Sequence, residues 1–286
     1  MKRRIFFTCI FLCLLAVLLL YLDNTLVKLT RYTVRSSEIP QEFDGFKIIQ
    51  LSDIHGAEFG DGNLRLIDKI ERTEPDAILI TGDIVNNQGD DEAEAEIFDN
   101  IMTELDGVAP IYAVTGNHDE MNDEFYSYID KWEREHNIRW LNNETVTLTS
   151  GESSIYLSGI DDPKIWSIDE RTEKVREAMA SMEVSDGYNI LMFHRADMLD
   201  MFIDSQYDIV FSGHLHGGQW RIPFVGGLMS PNMEMFPEYS GGRYERGGKT
   251  FIVSCGLGNK QTFPGTGITI PRIFNMAEIV EVTLEN

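Results

Sequence analysis

The sequence predicts an α/β fold behind one membrane-spanning helix. Three observations carry that expectation. An apolar run without charge, residues 5–22, follows three basic residues. Beyond it, short runs rich in β-branched residues recur, and several are continuous rather than alternating, the pattern of strands covered on both faces. Helical periodicities separate the early runs at intervals of about 30 residues, the spacing of βαβ units.

The N-terminal run has Thr8 as its one clearly polar residue. At about 1.5 Å per residue it spans roughly 27 Å, near the thickness of a hydrocarbon core. Asp23, Asn24, Thr25 and Leu26 follow it, with no small-x-small cleavage site. An uncleaved signal anchor over residues 1–24 is therefore expected, with residues 25–286 forming one domain. Lys2, Arg3 and Arg4 abut the run and favour a cytoplasmic N-terminus, although Lys28, Arg31 and Arg35 partly balance them on the other side. The chain beyond is expected outside the cytoplasm.

Strands are expected at 47–51, 77–80, 111–114, 155–159, 190–193, 208–211, 250–254 and 278–284. Leu64, Ile67 and Ile70 recur at three-residue steps, and Ile97, Ile101 and Leu105 at four, so each set marks a helix face. Asp90, Asp91, Glu92, Glu94 and Glu96 would open the second of these helices, where acids suit the dipole. Further helices are expected over 124–135 and 170–182. Residues 217–248 form the longest irregular stretch, readable as a binding loop or as a loop packed on its own side chains. Cys9 and Cys13 fall in the anchor, which leaves Cys255 alone in the domain as a core thiol.

Composition narrows the function. The formal charge is −23, yet residues 1–35 hold six basic residues and one acid, so the rest of the chain is more acidic still. Such a body lacks the basic face needed to displace counterions from a duplex, and no nucleic-acid partner is expected.

The polar residues gather where strands should end. The first strand runs into Asp53-Ile54-His55, the second into Gly82-Asp83, and the third into Gly116-Asn117-His118-Asp119. The strand over 190–193 meets His194, and the one over 208–211 runs into Gly213-His214-Leu215-His216. Carboxyl ends of parallel strands form the ligand crevice of α/β sheets. Five of the six histidines stand at such ends, and His136 is left as a surface residue. Nitrogen and carboxylate donors together suit borderline divalent ions, and seven candidates exceed one tetrahedral site. They suffice for two ions that share a carboxylate and clamp a phosphoryl group. Gly82, Gly116 and Gly213 each precede a candidate ligand and are expected to let the backbone turn there.

This series of motifs resembles the calcineurin-like metallophosphoesterase superfamily, whose blocks D-x-H, G-D, G-N-H-D/E, a lone H and G-H-x-H all occur here in order. Ile39-Pro40 with Phe43-Asp44-Gly45-Phe46 before the first block, and Gly217-Gly218-Gln219 after the last, are similar to its membrane-associated bacterial phosphodiesterases. The resemblance covers roughly residues 25–286 and implies a four-layer α-β-β-α sandwich. It implies that Asp53, His55 and His216 hold one divalent ion, that Asn117, His194 and His214 hold another, and that Asp83 bridges them. The ions would be manganese, iron or zinc. It further implies that His118 donates a proton to the leaving oxygen or binds the phosphoryl oxygens, that Asp119 orients His118 through the other ring nitrogen, and that a metal-activated hydroxide attacks phosphorus in line.

The expected activity is hydrolysis of a phosphodiester or pyrophosphate bond on a cell-envelope or lipid-linked substrate. A broad phosphomonoesterase and a non-catalytic scaffold are the rival readings. The scaffold conflicts with a complete ligand set. Arg195 and Arg272 read as surface charges that could alternatively meet substrate phosphate.

Overall fold

The computed structural model describes residues 1–86, 91–122, 124–163, 167–231, 233–259, 262, 266 and 268–286. An N-terminal helix, α1 (Lys2–Thr25), runs without a break through the apolar segment, with its apolar side chains exposed. It leads through Leu26 alone into strand β1 (Val27–Arg35). The chain continues as β2 (Lys47–Leu51), α2 (Leu64–Glu71), β3 (Ala77–Thr81), α3 (Asp91–Leu105) and β4 (Ile111–Val114). A single helical turn, α4 (Asn117–Glu120), precedes α5 (Phe125–Glu135), β5 (Ile138–Trp140), β6 (Glu144–Ser150) and β7 (Ser153–Ile160). Then come α6 (Ile168–Ser181), β8 (Asn189–Arg195), β9 (Ile209–Gly213) and a small hairpin, β10 (Arg221–Ile222) and β11 (Gly226–Gly227). Strands β12 (Gly242–Arg246), β13 (Lys249–Val253) and β14 (Ala277–Glu285) complete the chain.

Two mixed six-stranded sheets result, ordered β1-β14-β2-β3-β4-β5 and β12-β13-β9-β8-β7-β6. Each central strand divides its side chains between two cores, which is why its apolar residues run without alternation. Ile48, Leu79 and Val114 of the first sheet meet Ile190, Met192 and Phe211 of the second in the core between the sheets. Ile49, Leu51, Ile78 and Ile80 turn the other way, onto α2, α3 and α5 through Leu66, Phe98 and Trp132. Leu191, Phe193 and Val210 do the same for the second sheet, packing under Val175 of α6 and the 3-10 turn at Ala196–Phe202. The layers are therefore helix, sheet, sheet, helix.

All eight expected strands form. The strands that sequence patterning misses lie mostly at sheet edges, where one face is solvated. The most consequential is β1. Lys28, Arg31 and Arg35 belong to it, each pairing with the acid directly opposite on β14: Glu278 at 3.4 Å, Glu281 at 3.0 Å and Glu285 at 2.7 Å. The stretch 217–248 is not wholly irregular, since it carries the β10–β11 hairpin and β12. Asp90, expected to open α3, lies outside the described residues. His136 is buried rather than on the surface, with its Nε2 2.9 Å from Asp99 Oδ1. Cys255 is a buried thiol, pushed up to about 12 by burial and the nearby Glu278.

Candidate metal centre

Strands β2, β3 and β4 are parallel neighbours, as are β8 and β9, so their carboxyl ends face one crevice where the two sheets meet. The crevice gathers the predicted residues into two groups. Asp53, His55, Asp83 and His216 offer donor atoms within 4.8 Å of one another, and so do Asp83, His194 and His214. All six are buried, and Asp83 belongs to both groups. Asn117 heads α4 beside them, with a buried Oδ1 that has no hydrogen-bond partner. Asp99, Glu135 and His136 form a further acidic group elsewhere, but there Lys131 and His136 already face Asp99.

The donor set can be tested for its fit to cations. His194 Nδ1 lies 2.7 Å from the Thr81 carbonyl, which places the ring proton there and leaves the Nε2 lone pair free. That Nε2 is buried without a hydrogen-bond partner and stands 3.3 Å from Asp83 Oδ2. A lone pair aimed at a carboxylate is repulsive unless a cation lies between them. His55 Nε2 faces the same oxygen at 3.5 Å, and His216 Nε2 faces Asp53 Oδ1 at 3.5 Å. The residues fit two borderline divalent ions.

The electrostatics of these side chains agree. Burial disfavours a charged His194, but Asp83 beside it outweighs burial and lifts the ring to about 10, the mark of a place that favours positive charge. Burial also opposes charge on Asp83, yet His194 and His118 hold it well below the usual carboxylate range. Burial lowers His55 to about 3 and drives His214 and His216 well below the ordinary imidazole value, which leaves these rings neutral. Three neutral imidazoles beside an ionised aspartate are protonation states that suit a metal.

The backbone is strained at this place. Asp53, His55, Asp83, His214 and His216 all have positive φ, between 46° and 72°. Such conformations cost about 1–3 kcal/mol each and gather at functional sites. The preceding glycines serve two purposes. Gly82 turns the chain at φ 86°, as expected. Gly116 and Gly213 are needed for space instead: a Cβ on Gly116 would meet Asp83 Oδ1 at 2.2 Å, and one on Gly213 would meet Ser52 Oγ at 1.9 Å. A shift of register between Met192 and Arg195 in the β8–β9 ladder surrounds His194, as bulges beside active sites commonly do.

His118 is half-buried at the edge of the groups. Its amide donates to Asp83 Oδ1 at 2.8 Å, and its ring stands edge-on to His55 with centroids 4.9 Å apart. Asp119, expected beside the His118 ring, turns to the backbone. As the third residue of α4 it reaches back to the Gly116 amide at 2.8 Å and also accepts from Asp83, Ile84 and Val85. It thereby joins the loops after β3 and β4.

Two arginines expected at the surface are buried. Arg195 forks onto Asp162, at 2.5 Å and 3.3 Å, and stands 3.2 Å from His214 Nε2. Arg272 has no carboxylate in ion-pair range among the described residues. It donates to the carbonyls of Cys255, Gly256, Gly258 and Asn275 instead. Their loop backs the first motif, because Leu257 and Gly258 amides donate to Ser52 and Asp53 carbonyls. Asn275 adds a bond to the His216 carbonyl at 2.7 Å. Single charged residues outside any motif give no sequence signal for such a role.

Similarity to known proteins points the same way as the geometry. The family model described as calcineurin-like phosphoesterase matches residues 46–218. The uncharacterized metallophosphoesterase YkuE of Bacillus subtilis (strain 168) is 29% identical over 83% of this chain and 81% of its own. The phosphodiesterase YaeI of Escherichia coli (strain K12) is 28% identical over 65% of this chain and 66% of its own. The UDP-2,3-diacylglucosamine pyrophosphatase LpxG of Chlamydia muridarum (strain MoPn / Nigg) is 24% identical over 71% of this chain and 73% of its own.

Proposed function

We propose that this chain, which belongs to the calcineurin-like phosphoesterase family, hydrolyses a phosphodiester or pyrophosphate bond of a cell-envelope or lipid-linked substrate. Family membership makes it a dinuclear metal-dependent phosphoesterase. The bond, the substrate and the placement outside the cytoplasm are our reading. The observation that carries it is the sharing of Asp83 by two buried donor groups. The Escherichia coli and Chlamydia relatives, a phosphodiesterase and a pyrophosphatase of a diacylated nucleotide sugar, favour diester or pyrophosphate bonds and a lipid-bearing substrate.

In this reading Asp53, His55 and His216 would hold one ion and Asn117, His194 and His214 the other, with Asp83 common to both. When bound, such ions polarise phosphoryl oxygens and make water acidic enough to serve as a nucleophile at neutral pH. The chain's own residues do the rest. His118, half-buried at the edge of the two donor groups, serves the leaving oxygen as a proton donor. Asp119 keeps His118 and Asp83 in register by tying their loops together. The Arg195–Asp162 pair steadies His214 from behind, as supporting contacts of metal ligands do. Residues 1–24 would anchor residues 25–286, and a 24-residue helix with an exposed apolar surface supports that division.

Purified full-length protein in detergent tests the reading. Elemental analysis should find about two divalent ions per chain, the number a shared-carboxylate clamp requires. Bis-p-nitrophenyl phosphate should be cleaved faster than the monoester in the presence of manganese. A faster monoester reaction would favour the phosphomonoesterase. Absence of both metal and hydrolysis would overturn the enzyme.

A further inference from the structure

The strand registers fix which end of the molecule meets the anchor. β1 starts two residues after α1 and runs parallel to β14, with Val27 beside Ala277. β14 runs antiparallel to β2, with Val280 beside Gln50. Three residues further in that register, Ala277 stands level with Asp53. Asp53 is therefore two strand spacings, roughly 10 Å, from the strand that leaves the anchor, and at the height of its first residue. The junction is held on several sides. Asp23 accepts from the Phe274 amide, while Asn24 accepts from the Arg272 amide and donates to its carbonyl, both at 2.9 Å.

The β10–β11 hairpin stands beside this junction. Its Arg221 amide donates to the Ile273 carbonyl at 2.9 Å, and its tip, residues 223–225, shares one groove with Phe274. Phe224 at the tip is fully exposed, and Val225 and Phe274 are more than half exposed. Phe224 sits at φ 69°, a conformation a bulky side chain rarely adopts. Exposed apolar patches of this kind mark interaction surfaces. The occupant follows from continuity: the patch adjoins the residues that grip the end of α1.

We propose that this face is a bilayer-docking surface, with the hairpin tip and Phe274 seated among the lipid headgroups where α1 emerges, which sets the metal centre beside the phosphates of that leaflet. The inference rests on the reading of α1 as a membrane span. The acidic body makes apolar seating rather than charge the means of attachment.

The test uses the full chain in vesicles of phosphatidylcholine and phosphatidylglycerol. In a Cys9→Ser/Cys13→Ser background that keeps the buried Cys255, single substitutions Phe224→Cys, Leu18→Cys and Glu152→Cys take an environment-sensitive nitrobenzoxadiazole label. Glu152 is exposed in the β6–β7 turn, at the far end of the sandwich. Doxyl-labelled lipid should at least halve the emission at 224 and at 18 and leave 152 unchanged. Val225→Cys should repeat the result at 224. Quenching at 18 but not at 224 or 225 would overturn the docking and leave the span standing. Quenching at none of these positions would remove the span and the docking with it. Equal quenching at 152 and 224 would also overturn the proposal, since no one face would then be chosen.

Discussion

Asp83 stands at φ 55° with one carboxylate oxygen on the His118 amide and the other facing both His55 and His194. Its neighbours divide into those that would hold ions and those that act on the substrate, and His118 separates the two. His118→Ala should keep the metal content of the parent while lowering kcat by about 10²–10⁴-fold, the usual contribution of a proton donor. Loss of metal in that variant would show that His118 is a ligand. A second residue-scale expectation concerns Asp161, which accepts from the Thr115 amide at 3.1 Å just behind the site. Burial lifts its carboxyl from the ordinary 3.8 to about 7. The folded chain therefore holds this proton more tightly than the unfolded chain, a stabilising effect fully present below pH 3.8 and lost as pH rises to about 7. Asp161→Asn removes that loss, so its thermal stability relative to the parent should climb across this window, by up to about 4 kcal/mol, and level off above it. A constant difference across the window would refute the shift. The gathering of Asp53, His55, Asp83, His194, His214 and His216 was legible from the motifs as a series rather than singly, because few chemistries demand Asp and His at successive strand ends. The positive φ of five of them was not, because none is a glycine and the strain is imposed by the crevice.

At the scale of elements, the loop after β13 and the segment before β14 support the first motif from behind. Arg272 is the staple between them, with its guanidinium on four carbonyls and its backbone on Asn24. Arg272→Ala would take the guanidinium donor from the Cys255, Gly258 and Asn275 carbonyls in a buried place and should cost about 3 kcal/mol, read as a lowered thermal midpoint. Arg35→Ala on the β1–β14 ladder, an exposed pair with Glu285, should cost under about 1 kcal/mol by the same measurement. Equal losses in the two variants would contradict the staple. The sequence foretold the central strands well, since burial on both faces writes itself as continuous apolar residues. It hid β1, because an edge strand with Lys28, Arg31 and Arg35 reads as a basic flank until its acidic partner, about 250 residues away, is known. Arg272 was unreadable for a similar reason: burial of a lone charge depends on which carbonyls the fold brings to it.

For the whole molecule, the two sheets bring five motifs from both halves of the sandwich to one end, and that end is the one joined to α1. The net charge of −23 then has a simple division. A few acids serve the crevice, several pair along β1 and β14, and others stand on solvated helix faces such as α6, where Glu173 and Glu177 meet Arg176 and Lys174. The central claim is that Asp83 joins two ion sites into one centre. It is tested most directly by titrating manganese into chelator-treated full-length protein while following hydrolysis of bis-p-nitrophenyl phosphate. The account predicts a rate that is negligible without metal and reaches its plateau at about two equivalents. A plateau at a single equivalent, or a rate indifferent to metal, would contradict it.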